Sequence, residues 1–435
     1  MTPTRRRRPT TKETRGVPRT SSPPQLKGPS QDEGRGRALA LLAIGLVMGM
    51  STWFSATAVI PQLRDEWGLS SAAGSWLTIA VQLGFVAGAL VSSIFNLSDI
   101  ASPRLIILGG TIGAAAANAL LVAADGPGLA IPLRALTGFF LAGVYPPAFK
   151  LIATWFQRGR GLALGTLAGA ITIGSAMPHL VNGLGGLEWK LTVLATSVMT
   201  LFGGVAGFTV REGPWPFPRA RFDPRQAGLV FRNRGVRLAS LGYFGHMWEL
   251  YAMWTWFAIF FGELASNDGG DPSSGAAFAT FAVIGIGGLG CLLGGVLGDR
   301  WGRPQTTSLM MMVSGACALL IGLLFGAPTL VVLVVGLVWG ISVIGDSAQF
   351  STMVTELADQ AYVGTALTLQ LALGFTLSVA TIWLVPVLVE AVSWRWAFAF
   401  LAPGPALGIL AMRRLEALEL ATGREFPALA LFVLE

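Results

Sequence analysis

The sequence predicts an all-α polytopic membrane protein with twelve transmembrane helices in two six-helix, pseudo-symmetric halves. Composition comes first: hydrophobic types make up 53% of 435 residues, 56 glycines add to them, and charged residues are only 12%. Mean hydropathy is +0.63. Soluble domains of ordinary size cannot bury that much apolar surface. Second, the charges leave long gaps, and a helix of about 20 apolar residues crosses a bilayer core. Third, the two halves of the chain echo each other.

Net charge +7 and a pI near 10.0 invite a nucleic-acid reading. The location of the charges removes it. Residues 1–37 hold ten Lys/Arg against three acids, so this tail carries the whole excess. It lacks interleaved aromatics and a folded reader, so no nucleic-acid partner is expected. It reads as a disordered, basic cytoplasmic tail drawn to anionic lipid. It is not a signal peptide, because about 30 polar residues separate Arg5–Arg8 from the first apolar run.

The spans follow in order. Charge-free runs at 38–63, 67–98, 105–124, 161–187 and 191–210 supply the first, second, third, fifth and sixth. Runs at 272–298, 360–389 and 396–412 supply the eighth, eleventh and twelfth. The 42-residue run 304–345 breaks at the turn signal Gly326-Ala327-Pro328, which separates the ninth from the tenth. Segments interrupted by single charges give the fourth (129–155), the seventh (237–262) and the rest of the tenth (329–354). The spans are therefore 38–61, 71–95, 105–124, 129–155, 161–184, 189–210, 237–262, 275–298, 305–326, 329–354, 363–389 and 394–412. Membrane strands are unlike these runs, which are too long and do not alternate.

Lys/Arg asymmetry sets the orientation. With both termini inside, 25 Lys/Arg face the cytoplasm, and only Arg64, Lys190 and Arg395 face out. The longest connection, 211–236, carries Pro214, Pro216, Pro218 and Pro224 among its arginines. It divides the chain into a tail (1–37), a first half (38–210), this cytoplasmic linker, a second half (237–412) and a cytoplasmic tail (413–435). Trp189 opens span six as Trp394 opens span twelve, and Asp99 follows span two as Asp299 follows span eight. Internal repetition of this kind marks secondary transporters.

The loop Gly295-Val-Leu-Gly-Asp299-Arg300-Trp-Gly302-Arg303 carries the pattern G-x-x-x-D-R-x-G-R, and Arg134-Ala-Leu-Thr-Gly138 carries R-x-x-x-G. On these residues the sequence resembles the major facilitator superfamily over about 38–412. The corresponding first-half loop departs from the pattern: Asp99 is in place, and Arg104 is displaced by one. Span five lacks the Gly-Pro pair typical of drug–proton antiporters. Arg158-Gly-Arg160-Gly161 is loosely similar to nitrate/nitrite and cyanate-type permeases. The resemblance implies a monomeric bacterial inner-membrane permease that moves a small solute by alternating access, with protons as the coupling ion. Its conformational gate comprises Asp299, Arg300, Gly302, Arg303, Asp99 and Arg104. An Asp and two Arg at adjacent helix ends pair with each other, or the Asp sits at a helix N-terminus, and so bias one conformation; fixing the topology alone is the alternative.

Four ionisable residues interrupt the spans: Arg134 and Lys150 on span four, Glu249 on span seven and Asp346 on span ten. Charges at such depth are expensive and mark function by default. Glu249 lies roughly 18 Å in from Arg237 at 1.5 Å per residue, with Tyr243 and His246 on its face. Glu249 with His246 is the candidate proton-coupling or substrate site; a structural ion pair or hydrogen-bonded plug is the alternative. Lys150 and Asp346 fall at similar depth on pseudo-equivalent helices, so they pair with each other, Lys150 contacts an anionic substrate, or each is neutralised locally. Trp339, Ser342, Asp346 and Gln349 share a face, and Trp53 with Ser55 and Thr57 precedes Pro61 on span one. By resemblance, Arg134 relays protons or supports packing. Gly285-Ile-Gly287-Gly-Leu-Gly290 fits a dinucleotide pattern but lies inside an apolar span, so close helix packing is expected of it. No cofactor and no metal are expected, with two histidines and no ligand spacing. No clustered catalytic constellation argues for an enzyme. Uptake of a small organic or inorganic anion is favoured by the missing Gly-Pro pair and by Lys150 and Arg134. Efflux of a drug or metabolite in exchange for protons is the alternative, and a non-transporting membrane sensor is a remote one.

Overall fold

A backbone that crosses a bilayer must satisfy its own hydrogen bonds, so apolar runs of this length wind into helices. A computed structural model of the protein describes residues 31–95, 97, 101–156, 159–185, 188–215, 230–267, 274–359 and 363–422. Ten helices among them are long and apolar enough to cross a membrane: Ser71–Ile94, Pro103–Ala123, Pro127–Ala153, Gly161–Leu184, Trp189–Thr209, Ser274–Trp301, Arg303–Ile321, Thr329–Leu357, Val363–Val392 and Trp394–Ala421. These are the second to sixth and eighth to twelfth expected spans. The first and seventh are helical too. The first runs from Gln31 to Gly49, passes through turns, and resumes at Ile60–Trp67. The seventh is one unbroken helix, Arg234–Asn267, whose Trp, Tyr, His and Glu residues lower its hydropathy. No strand occurs among the described residues. The protein is an all-α polytopic membrane protein.

Two ends differ from expectation. The backbone at 31–37, read as disordered tail, is already helical, and the last helix continues past residue 412 to Thr422. A helix needs no apolar surface once it leaves the bilayer, and Gln305 Nε2 ties the extension at Glu416 Oε1, 2.8 Å away.

Several spans are interrupted. The fourth stops at Leu141 and restarts at Tyr145, where Pro146 and Pro147 occupy first-turn positions that tolerate a missing N–H. The tenth breaks at Asp346, between Thr329–Gly345 and Ser347–Leu357. These two helices are pseudo-equivalent, so the interruption recurs in both halves. A second repeat is a contact. Trp189, opening span six, donates to Glu66 Oε2 at 2.5 Å, and Trp394, opening span twelve, donates to Glu263 Oε2 at 2.7 Å.

Small residues set the helix spacing. A Cβ on Gly138 would fall 1.9 Å from the Val81 carbonyl oxygen, and one on Gly84 would fall 1.9 Å from that of Ala135. Spans two and four therefore touch backbone to backbone. The glycines of span eight pack as expected: a Cβ on Gly290 would lie 2.1 Å from the Ile341 oxygen. The two halves meet where span two lies along span eleven and span five along span eight. Ser93 and Thr368 hydroxyls are 3.1 Å apart, and Ser378 donates to Gln82 Oε1.

Candidate transport pathway

The break in span one leaves backbone carbonyls without helical partners, and Arg134 collects them. Its side chain is fully buried. Nε donates to Leu77 O at 3.2 Å, and Nη1 to Thr52 O at 2.9 Å, Ser55 Oγ at 3.1 Å and Asn118 Oδ1 at 3.0 Å. Nη2 donates to Trp53 O. All five acceptors are neutral, so the cation is solvated by oxygen dipoles rather than paired with a carboxylate. Asn118 passes the network on to Val193 O and Ser197 Oγ, and Thr200 Oγ1 reaches Met48 O and Gly49 O. These bonds tie span four to spans one, two and three. Ser55 and Thr57 are engaged by Asn118 and Thr78, at 2.5 and 2.7 Å.

The break places Trp53 at the centre of the molecule. Its ring lies 5.1 Å from Phe85, 6.0 Å from Tyr251 and 5.7 Å from Phe375, centroid to centroid. These rings come from spans one, two, seven and eleven, so the cluster joins the two halves.

In the second half, the expected Glu249–His246 unit divides in two. Glu249 is buried, with Oε1 accepting from Trp339 Nε1 at 2.6 Å and Oε2 from Ser314 Oγ at 2.8 Å. His246 turns to Asp346, with Nδ1 2.8 Å from Oδ1 and both side chains at most 2% exposed. Tyr243 stacks on the imidazole at 5.9 Å. Asp346 therefore takes His246, not Lys150, as its ionic partner. The depth estimate assumed straight helices, and the break at Asp346 turns its carboxylate toward span seven. Lys150 is half-buried on the Tyr145–Ala153 helix.

The loop between spans eight and nine forms a clamp. Gly302, at φ +96°, makes the turn. Arg303 follows it and grips Glu356: Nε to Oε2 is 3.0 Å and Nη2 to Oε1 is 2.9 Å. Its Nη1 donates to Gln349 Oε1 at 2.8 Å and lies 3.7 Å from Asp299. Gln349 Nε2 donates to Gly294 O, and the Gln349 backbone N–H to Asp346 O, both at 3.0 Å. A chain of contacts thus runs from Arg303 through Gln349 and Asp346 to His246. Asp299 also reaches the other half, with a carboxylate oxygen 3.5 Å from where a Gly161 Cβ would stand at the start of span five. Arg300 is exposed, Arg104 lies over the Phe208 ring at 5.4 Å, and Asp99 falls outside the described residues. At the opposite end, Arg64 is half-buried. Burial pulls its guanidinium below its ordinary pKa, while Glu263 and Glu390 of the second half pull it back up.

The family model of the Major Facilitator Superfamily matches residues 41–381. The chain belongs to that superfamily. It is 25% identical to the MFS transporter asaE of Aspergillus flavus over 58% of this chain and 56% of that protein. It is 28% identical to the multidrug efflux pump LfrA of Mycolicibacterium smegmatis, over 57% of this chain and 45% of the pump. The puromycin resistance protein pur8 of Streptomyces alboniger is 30% identical over 33% of this chain and 29% of its own length. The matched regions thus span about half or less of these relatives. The fold is shared with a bacterial homologue of the human lysosomal transporter Spinster, solved in an inward-facing, unoccupied conformation. The TM-score is 0.62 at 15% identity, covering 92% of this chain and 98% of that one.

This member of the Major Facilitator Superfamily is a multi-pass membrane protein. Two features of the candidate pathway escape sequence reasoning, and a third is legible. The aromatic cluster does, because Phe85, Tyr251 and Phe375 look like any apolar residue of a span. Ser314 does, as an ordinary helix hydroxyl. Gln82 does not need to: a lone glutamine in a 32-residue charge-free run is a legible signal.

Proposed function

We infer that this transporter exports a small solute in exchange for protons, by alternating access, with the His246–Asp346 pair as the proton-coupling site. The observation that carries the reading is the continuous path His246–Asp346–Gln349–Arg303, which links a buried titratable pair to a clamp between spans. A proton taken up on the Asp346 carboxylate removes its negative charge and with it the ionic contact to His246. That loosens the break in span ten, and Gln349 hands the movement to Arg303. Around Asp346 the other titratable groups are Glu249 on span seven and Cys291 on span eight. Glu249 already has two donors on its oxygens, so it serves as an anchor within the second half.

Contacts among Arg303, Glu356 and Asp299 close one end of the pathway, and at the other end Arg64 lies in the field of Glu263 and Glu390. By its Lys/Arg excess, the Arg303 end is cytoplasmic in a bacterial inner membrane. Residues 38–210 and 237–412 rock as two bodies joined by the linker 211–236, and each monomer carries a complete pathway. Efflux is favoured over the expected anion uptake for two reasons. Arg134, one of the two cations behind that expectation, spends its donors on neutral oxygens. Relatives named as a multidrug efflux pump and a puromycin resistance protein add support. Counterflow in proteoliposomes with a solute panel, with and without an imposed pH gradient, tests this. Accumulation that follows the gradient in the antiport sense supports the reading. Accumulation indifferent to pH refutes the coupling.

A further inference from the structure

The central aromatic cluster has a chemical peculiarity that packing alone does not account for. Trp53 and Trp254 flank Tyr251, at centroid distances of 6.0 and 5.7 Å, and Phe85, Tyr145 and Phe375 complete the group. Phe85 and Tyr145 lie 5.2 Å apart and within 7° of parallel. Both indole N–H groups, Trp53 Nε1 and Trp254 Nε1, are buried without an acceptor. The same holds for Gln82 Nε2, one helical turn from Phe85, whose amide oxygen accepts from Ser378 across the interface. A buried donor left unmade costs stability, and native proteins rarely tolerate several together. Apolar side chains would line this centre with no such cost, so the unmet donors of the two tryptophans and the glutamine point to an acceptor that arrives from outside.

The cluster also lacks a side chain that carries a full charge near neutral pH. Arg134 is committed to five neutral oxygens, and Glu249 is held by Trp339 and Ser314. We propose that the transported solute is an uncharged, planar conjugated molecule bearing carbonyl-type oxygens. It inserts between the rings of Trp53 and Tyr251 and accepts hydrogen bonds from Trp53, Trp254 and Gln82. Flat rings suit offset stacking against such a face. Trp53 belongs to the first half and Tyr251 to the second, so insertion also bears on how the halves separate. The proposal takes from the transport reading only the location of the pathway.

The test uses the full-length protein in lipid nanodiscs and equilibrium dialysis. Coumarin is planar, uncharged and has a carbonyl acceptor; naphthalene is planar without one; nitrate represents a small anion. Wild-type protein is expected to bind coumarin saturably, one per chain, undisturbed by excess nitrate. Trp53→Phe and Trp254→Phe keep a ring and remove an N–H. Each is expected to weaken coumarin about 5-fold, the equivalent of one hydrogen bond, and to leave naphthalene unchanged. Tyr251→Leu is expected to weaken both. Absence of saturable coumarin binding, displacement by nitrate, or coumarin affinity unchanged from wild type in both Trp→Phe variants overturns the proposal. Counterflow of coumarin is read separately. Binding without transport sinks the transport reading and leaves this site standing; pH-driven transport of other solutes without coumarin binding sinks this site alone.

Discussion

Arg134 is the residue whose replacement reports most directly on how the pathway is built. Its guanidinium makes five hydrogen bonds, to Leu77 O, Thr52 O, Trp53 O, Ser55 Oγ and Asn118 Oδ1. Lysine keeps the positive charge but brings three donors on one nitrogen and no planar fork. Arg134→Lys therefore loses at least two bonds. At about 0.5–1.5 kcal/mol each, the expected destabilisation is about 1–3 kcal/mol. Ser55→Ala removes the hydroxyl that joins Arg134 and Asn118, and is expected to cost about 1–2 kcal/mol alone. The two changes share a network, so the double variant is expected to fall short of the sum by about 0.5 kcal/mol or more. Unfolding of purified protein in mixed micelles by titrated sodium dodecyl sulfate, followed by tryptophan fluorescence, measures all four corners. Arg134→Lys within about 0.5 kcal/mol of wild type, with strict additivity, would refute the idea that Arg134 holds the break in span one.

Two further outcomes follow from the same geometry. Gln349→Leu removes the Arg303 acceptor and the bond to Gly294 O while leaving the Arg303–Glu356 grip. In a background lacking the two native cysteines, thiol labelling of Ala366→Cys, a position buried at the start of span eleven, is expected to accelerate several-fold. An unchanged labelling rate in inside-out membranes counts against a gating role for Gln349. Gly340→Ala places a methyl 1.8 Å from the Val283 oxygen, which only a shift of span eight or ten relieves. The expected loss is about 1–3 kcal/mol of stability by the same micelle titration, and a neutral result contradicts the backbone-to-backbone packing of these spans.

Most of the architecture was legible in the sequence because the bilayer imposes it. Charge-free runs translate directly into spans, and Trp189 and Trp394 announced a repeat that the structure shows as two equivalent Trp–Glu contacts. What sequence spacing does not convey is where a helix stops being straight. Glu249 and His246, one turn apart, read as one unit. The break at Asp346 delivers a different carboxylate to His246 and leaves Glu249 to Trp339 and Ser314. Pro146 and Pro147 mark the fourth-span break, a signal that reading 129–155 as one span passed over, whereas the break at Gly345-Asp346 carries no proline. The donor-rich aromatic centre was hidden for another reason. In a chain with 14 Trp and 25 Phe, aromatic residues on a span face lipid, core or pathway with the same letters.

The central claim is that protons act at His246–Asp346 and not at Glu249. It is tested by measuring solute accumulation in proteoliposomes as a function of the imposed pH gradient, for wild type, Asp346→Asn and Glu249→Gln. The account predicts that Asp346→Asn still exchanges solute downhill but no longer responds to the gradient, while Glu249→Gln keeps its response. A full gradient response in Asp346→Asn, or its loss in Glu249→Gln alone, would contradict it.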